Sequence, residues 1–347
     1  GALVSTRSPG AVTLQDVAHA AGVSLATASR SLNGSTRRVS EDLRHRVLTE
    51  AATLNYSANG PAQAMARGRT NVVGLLLHDI ADPYFSTIAA GVMRAADKRR
   101  LLVTIASTGR RPERELEYVE TLRGQRAWAV ILVGSRTEDP IQIARLGAEL
   151  ASFEAGGGRV ALISQNRLPV DTVLTENRAG ARSLATELLT LGYRRFAVLA
   201  GPPRLLTAKD RAAGFREGLA PAGITLSPAD VISGEFTRDG GYAAMSTLLN
   251  RGRERACVFA VNDVMAVGAM AALRDRGLRL PQDMAVAGFD DIATLRDVTP
   301  GLTTVRLPLD EIGEAAFALV TLPQSGLRRL RRIKGEVVLR ASTPGVL

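Results

Sequence analysis

Apolar residues in this chain recur with two different periods, and the change from one to the other falls near residue 70. Over residues 13–54 the spacing is helical. Val17, Ala20 and Ala21 make one apolar face, Thr13 with Asp16 three residues on is a helix-start pattern, and Gly22 ends a helix running to about Ala21. Ser24 stands where a second N-cap is needed, and Leu25 to Leu32 continue with Ala28 and Leu32 inward, leaving Leu25, Ala26, Ser29 and Arg30 outward. After the turn Asn33-Gly34-Ser35, Ser40, Glu41 and Asp42 open a third helix whose stripe of Leu43, Val47, Ala51 and Leu54 would close a three-helix core. Two short helices joined by a glycine turn, the second exposing small, hydroxyl and Arg side chains, form a helix-turn-helix of the DNA-binding kind; a pair of ordinary bundle helices fits the same spacing. Residues 55–70 mix Gly60 and Pro61 with a short helix-compatible run at 62–67. So short a helix needs a partner to be stable, either a second copy or DNA, and is otherwise a linker.

From Asn71 onward, apolar runs at 72–77, 101–106, 129–133, 160–163, 196–200, 257–261 and 285–289 alternate with amphipathic segments near 84–99, 112–123, 177–191, 209–220, 238–250 and 263–276. Continuous apolar strands alternating with helices predict parallel sheets covered on both faces, and two such sets predict two lobes. Ligands of such sheets bind beyond the carboxyl ends of strands, which directs attention to Asp79, Asp82, Tyr84, Phe85, Arg211, Asn262, Asp263 and Asp290.

Composition narrows the choice. The 347 residues are 46% hydrophobic with a formal charge of +10, and Lys98, Lys209 and Lys334 are the only lysines, so the positive charge is almost all Arg. Residues 1–70 carry eight Arg against four acidic residues, a modest local excess that suits a polyanion; the Arg preference itself is equally compatible with codon bias. The single Cys257, in the run ACVFAV, reads as a buried small hydrophobe. Neither a membrane-length apolar run nor a signal-peptide core is visible, so a cytoplasmic protein with no membrane partner is expected. His19, His45 and His78 are too scattered for a metal site or a catalytic triad, no phosphate-loop motif follows Gly156-Gly157-Gly158, and RRLRRIK at 328–334 reads as a solvated basic run. The expectation is a protein that is not an enzyme and has no metal or other cofactor.

Several separate motifs resemble one family. TLQDVAHAAGVSLATASRSLN at 13–33, TELLTLGYRRFAVLAGP at 186–202, TAKDRAAGF at 207–215, VFAVNDVMAVGAMAALRDRGLRLPQDMAVAGFDD at 258–291 and PGLTTVR at 300–306 follow, in order, the pattern of the LacI/GalR family of bacterial transcriptional regulators. The resemblance implies a small all-α helix-turn-helix headpiece plus an α/β core of two Rossmann-like lobes, similar to periplasmic sugar-binding proteins. Its implied layout is a flexible arm at 1–12, a DNA-binding domain at 13–59, a hinge at 60–70 and a core at 71–347. Within that core, lobe 1 is expected at about 71–174 and 306–322, and lobe 2 at about 175–305 and 323–347.

The same resemblance implies roles. Leu25, Ala26 and Arg30 match positions that face base edges: the apolar pair suits a thymine methyl, and Arg30 can donate twice to guanine. Thr13, Ser24, Thr27, Ser29, Asn33 and Tyr56 match phosphate-contacting positions, with local helix capping as the other role for the hydroxyls. Met65 matches a hinge residue wedged into the minor groove, and Pro61 suits the first turn of a hinge helix. Tyr84, Phe85, Arg211, Phe236, Asn262 and Asp290 match positions lining an effector cleft, with aromatic faces for a sugar or base ring and polar groups for hydroxyls or a carboxylate. Ser164, Glu176-Asn177 and Leu307 depart from the usual pattern, which leaves the effector open. With seven residues after Arg340 there is no room for the extra heptad helix of tetrameric members. The reading is therefore a homodimeric operator-binding repressor controlled by a small effector (a sugar, a sugar derivative or a nucleobase-like molecule). A solute-binding or sensory module with vestigial DNA binding is the alternative.

Overall fold

The computed structural model describes residues 12–33, 39–57, 68–252 and 257–346. Residues 1–11 of the expected arm and 60–67 of the expected hinge, Met65 and Pro61 among them, lie outside the described residues. The chain divides into two compact units, residues 1–70 and 71–347.

The first unit holds α1 (Leu14–Ala20), α2 (Leu25–Asn33) and α3 (Glu41–Thr53). Its core is built from small side chains, Val17, Ala18, Ala21, Ala28, Val47 and Ala51, with Leu14, Val23, Leu32, Leu54 and Tyr56 packed around them. Thr13 and Asp16 form a reciprocal capping box at the start of α1. At its end Gly22 adopts φ +63°, the Gly22 N–H reaches the His19 carbonyl and the Val23 N–H the Ala18 carbonyl, and Arg46 of α3 donates to the Ala21 carbonyl. This is a Schellman stop, and a side chain at residue 22 would be forced into the left-handed region. Ala20, assigned above to the core face, is exposed, and Ala18 takes its place. Helical spacing allowed either, and the position of α3 decided it.

The second unit contains two parallel sheets. One has the order β11-β5-β4-β3-β1-β2, from β1 (Val72–Leu77), β2 (Leu102–Ser107), β3 (Ala129–Val133), β4 (Arg159–Ile163), β5 (Asp171–Thr175) and β11 (Leu330–Ile333). The other has the order β7-β6-β8-β9, from β6 (Phe196–Ala200), β7 (Val231–Ser233), β8 (Cys257–Ala260) and β9 (Ala285–Ala287). β10 (Thr304–Arg306) pairs antiparallel with β12 (Glu336–Val338), and single bridges at Ala287–Thr303 and Asp290–Arg306 join β10 to the second sheet. On the first sheet, α4 (Pro83–Asp97) and α11 (Leu309–Thr321) pack together, while α5 (Pro112–Gly124) and α6 (Pro140–Ala155) share a separate apolar cluster around Leu132, Leu150 and Phe153. On the second, α7 (Asn177–Thr190) packs on α8 (Leu206–Leu219), and α9 (Arg238–Asn250) on α10 (Asp263–Asp275).

The two-lobed α/β expectation is met, with one correction. Residues 323–347 do not all belong to lobe 2, because β11 hydrogen-bonds to β5 along Leu330–Thr172 to Ile333–Thr175. The chain therefore crosses between lobes near 176, 307 and 334. The basic run at 328–334 is this edge strand: Arg329 pairs with Asp171 at 2.9 Å and Arg331 and Arg332 are exposed. An edge studded with charge resists pairing with another strand.

Candidate functional site

In the first unit, α2 carries the outward face. Leu25 is 50% exposed, Ala26 and Arg30 are exposed, and Ala28 is fully buried beneath them. Ser31, which the periodicity left unassigned, is buried and donates to the Thr27 carbonyl at 2.8 Å. Ser24 Oγ accepts the Thr27 N–H at 3.1 Å and lies 2.9 Å from Thr27 Oγ1. Asn33 Nδ2 donates to Ser29 Oγ at 3.2 Å, Thr13 Oγ1 donates to Asp16 at 2.7 Å, and Tyr56 is half-buried against the core. Ser24, Thr27, Ser29 and Asn33 are thus set by local bonds along α2, Thr13 caps α1, and Tyr56 follows α3. Leu25, Ala26 and Arg30 are the side chains left to project from it.

In the second unit, the carboxyl ends of both sheets face one cleft. From the first sheet it is lined by Asp82, Tyr84 and Phe85 after β1, Arg110 after β2, Gly134 and Ser135 after β3, Ser164 and Gln165 after β4, and Thr175 and Asn177 after β5. From the second it is lined by Thr207 and Arg211 of α8, Phe236 after β7, Asn262 after β8 and Asp290 after β9. All six residues expected to face an effector line this cleft. Parallel sheets dictate the arrangement, since every strand ends on the same side.

The six do different things. Arg211 is 2% exposed and engages three of its five N–H groups in the chain: Nε to Asn177 Oδ1 at 2.9 Å, Nη1 to the Val261 carbonyl at 2.8 Å and Nη2 to Asp290 Oδ1 at 2.8 Å. Its guanidinium carbon stacks 3.9 Å from the Phe289 ring centroid. The Arg211 charge therefore has an internal partner, and two N–H groups remain. Burial pushes the Asp290 carboxyl up to about 8, with Arg211 opposing. Asp290 and Asp291 both have positive φ, 121° and 59°, a strained pair that turns the Asp290 carboxyl back under the cleft while Asp291 binds Arg306 and Arg340 at 2.8 Å each. Asn262 caps α10 through Oδ1, which accepts the Met265 N–H at 3.0 Å, so its amide donors face the cleft. Phe85 is 4% exposed and packs in the core edge-on to Tyr84 at 4.9 Å, which makes Tyr84 the more accessible ring. Phe236 lies over Gly201, where any Cβ would come within 2.1 Å of the ring.

Ser135, Gln165, Thr207 and Arg110 are among the lining residues not singled out from the sequence. Ser135 Oγ accepts the Thr207 N–H at 3.0 Å, Gln165 Nε2 donates to Thr207 Oγ1 at 2.8 Å, and the Leu206 N–H reaches the Arg136 carbonyl at 3.0 Å. With Lys209 and Glu138 at 2.6 Å, these bonds join the lobes along one side of the cleft. Arg110 is the fourth, with its guanidinium 5.3 Å from the Phe236 centroid and burial pulling it down to about 10. Arg110, Ser135 and Gln165 follow apolar runs that were recognised as strands, so the strand-end rule reaches them; Thr207 gave no such signal. Of the departures, Ser164 Oγ accepts from Arg136 at 3.2 Å, Asn177 holds Arg211, and Leu307 is buried. Among the described residues no cluster of His, Cys, Asp and Glu is placed to bind a metal, and no helix is long and apolar enough to cross a membrane.

Residues 13–59 match the family model described as bacterial regulatory proteins, lacI family, and residues 185–343 the model of a periplasmic binding protein-like domain. A curated relative, the HTH-type transcriptional regulator DegA of Bacillus subtilis (strain 168), is 32% identical over 337 residues, covering 95% of this chain and 98% of its own. Among solved structures, the lac repressor dimer bound to operator and the anti-inducer ONPF aligns with a TM-score of 0.83 at 27% identity over 96% of this chain and 99% of that one. A complex of the transcriptional regulator CelR with cellobiose aligns at 0.69 and 29% identity, over 95% and 99%.

Proposed function

The chain belongs to the lacI family of bacterial regulatory proteins, and from that premise we propose that it is a homodimeric, operator-binding repressor whose hold on DNA is set by a small hydroxylated effector in the core cleft. The observation that carries the reading is the pairing, in one chain, of an α2 that exposes Leu25, Ala26 and Arg30 with a core whose strand ends converge on Tyr84, Phe236, Asn262 and Asp290. It is a cytoplasmic binding protein and not an enzyme. Arg30 reads a guanine, the Leu25-Ala26 pair packs on a thymine methyl or the groove wall, and Thr13, Ser24, Thr27, Ser29, Asn33 and Tyr56 hold phosphates. Met65 wedges into the minor groove at the centre of the site. The relatives supply the ligand classes: operator DNA and ONPF for the lac repressor, cellobiose for CelR. In this chain the Tyr84 and Phe236 rings take the faces of a sugar-like ring while Asn262, Asp290 and the two remaining Arg211 donors bind its hydroxyls.

Coupling works if the effector favours one relative arrangement of the lobes, and such coupling is typically worth about 1–3 kcal/mol. Deleting residues 1–70 tests the reading against a sensory module that has lost its DNA output. Full-length protein should bind promoter DNA with a steep salt dependence that the truncated core lacks. Equal, weak binding by both with the same salt slope would leave only the sensory module.

A further inference from the structure

Beside the cleft, and sharing Arg110, Gly134 and Ser135 with it, lies a roomier cavity of about 380 Å³. That is within the range of small-molecule sites. Two of the guanidinium groups on its wall are treated in opposite ways. Arg136 is closed off: Nη1 and Nη2 grip Glu115 at 2.6 and 2.9 Å, and Nε donates to Ser164 at 3.2 Å. Arg110 has neither a hydrogen bond nor an ion pair among the described residues, only the Phe236 ring at 5.3 Å. Its neighbour Asp82 lines the cleft and accepts the Tyr84 N–H; burial raises that carboxyl above its ordinary range, with the Tyr84 N–H and Arg110 opposing. The carboxylates of Asp82, Glu235 and Asp79 favour the Arg110 charge from farther off, but none of them hydrogen-bonds it, so its N–H donors are open to a ligand.

The backbone is shaped to put it there. Gly109 and Arg110 both have left-handed φ, 61° and 56°, so the strand end turns sharply and presents Arg110 at the boundary of the two spaces. The next element, α5, begins with Arg111 as an N-cap that makes no side-chain bond to the first turn, whereas Asp139 caps the adjoining α6 through the Ile141 and Gln142 N–H groups. The first turn of α5 offers little itself, because Pro112 has no N–H and the Arg114 and Glu115 N–H groups reach the Arg111 carbonyl, but Arg110, Arg111 and Arg145 line the cavity while Glu115 is taken by Arg136 and Asp139 caps α6. Guanidinium groups in excess favour an anion.

We propose that this cavity seats the anionic group, a phosphate or carboxylate, of a sugar-sized effector, held by Arg110 with Arg111 and Arg145 beside it, while the rest of the molecule occupies the adjoining cleft. The inference rests on the reading of the cleft as the effector site. Arg110 then sets specificity, accepting phosphorylated or acidic sugars over neutral ones.

The test uses full-length wild-type protein, Arg110→Gln and Arg110→Lys, each checked for folding by circular dichroism, titrated at constant ionic strength with orthophosphate, glucose 6-phosphate, glucuronate and glucose. Orthophosphate should raise the melting temperature of the wild type saturably. Arg110→Gln should weaken orthophosphate binding at least ten-fold, Arg110→Lys should retain part of it, and glucose should bind less tightly than either acidic sugar. A stronger response to glucose 6-phosphate or glucuronate than to orthophosphate identifies an organic acid or ester as occupant; equal responses identify free phosphate and overturn the sugar-sized occupant. No orthophosphate response in the wild type, or an equal response in Arg110→Gln, overturns the proposal. Failure of the regulator reading looks different: Arg110-dependent anion binding would persist while wild-type affinity for promoter DNA stayed unchanged by any ligand.

Discussion

Replacing Arg211 with Ala strips a buried guanidinium from three acceptors at once: Asn177 Oδ1, the Val261 carbonyl and Asp290 Oδ1. The largest loss falls on Asp290, which is 4% exposed and has no other ion-pair partner among the described residues. Below pH 8, where Asp290 keeps its proton, the loss is of hydrogen bonds, and each buried acceptor left unsatisfied typically costs about 1–3 kcal/mol. The pH dependence follows from the carboxyl. In the wild type burial holds it at about 8, and without Arg211 it rises further. Above pH 8 the folded variant keeps a proton that the wild type releases, so the stability deficit is flat below that pH and widens above it, by about 1 kcal/mol per pH unit at most. Urea unfolding followed by circular dichroism and Trp128 fluorescence at pH 6.5 and 9 measures this. The double variant Arg211→Met with Asp290→Leu, which removes both charges, should recover most of the stability and still lose the effector response. A deficit below about 1 kcal/mol for Arg211→Ala, or one that does not widen above pH 8, would refute the role of Arg211 as the counter-charge that keeps Asp290 in place.

Arg30→Ala should lower affinity for the preferred promoter by about 1–3 kcal/mol while leaving non-specific binding largely intact, as read by anisotropy against competitor DNA; uniform loss on all sequences would make Arg30 a phosphate contact instead. Asp263 is fully buried, accepts the Ile292 N–H at 3.0 Å and the Thr304 hydroxyl at 2.8 Å, and burial pushes it up to about 6. An acid whose folded pKa lies above its unfolded one favours folding while protonated. Its contribution is therefore lost as pH rises from about 4 to about 6, by up to about 3 kcal/mol. Melting temperatures of wild type and Asp263→Asn across that window should diverge, and parallel profiles would remove Asp263 as the cause.

Long buried strands and amphipathic helices were legible because periodicity reports burial directly, and β1, β3 and β6 fall where the apolar runs placed them. Short edge elements were not. The three-residue β7, β10 and β12, and the basic strand β11, take their strand form from neighbours distant in sequence. Nothing in RRLRRIK itself asks for a parallel partner, and Thr172–Thr175 supplies it. The same cause misplaced residues 323–333: lobe membership is a property of pairing, and a charged run gives no apolar pattern from which to infer it.

At the cleft, the sequence indicated which residues gather but not which ones already have partners. Strand-end position brought Arg211, Asn262 and Asp290 forward together, and the cleft holds all three. Yet Arg211 is largely satisfied within the chain, and Asn262 divides its amide between a helix cap and the cleft. Hydrogen-bond satisfaction depends on distances between residues dozens of positions apart, 79 in the case of Arg211 and Asp290. It inverts the ranking that residue type suggests. Arg211, the more buried, spends three of its N–H groups on Asn177, the Val261 carbonyl and Asp290, whereas Arg110, unremarked in sequence, makes no hydrogen bond among the described residues. Selectivity among anionic and neutral effectors should therefore track substitutions at residue 110, and folding stability substitutions at residue 211.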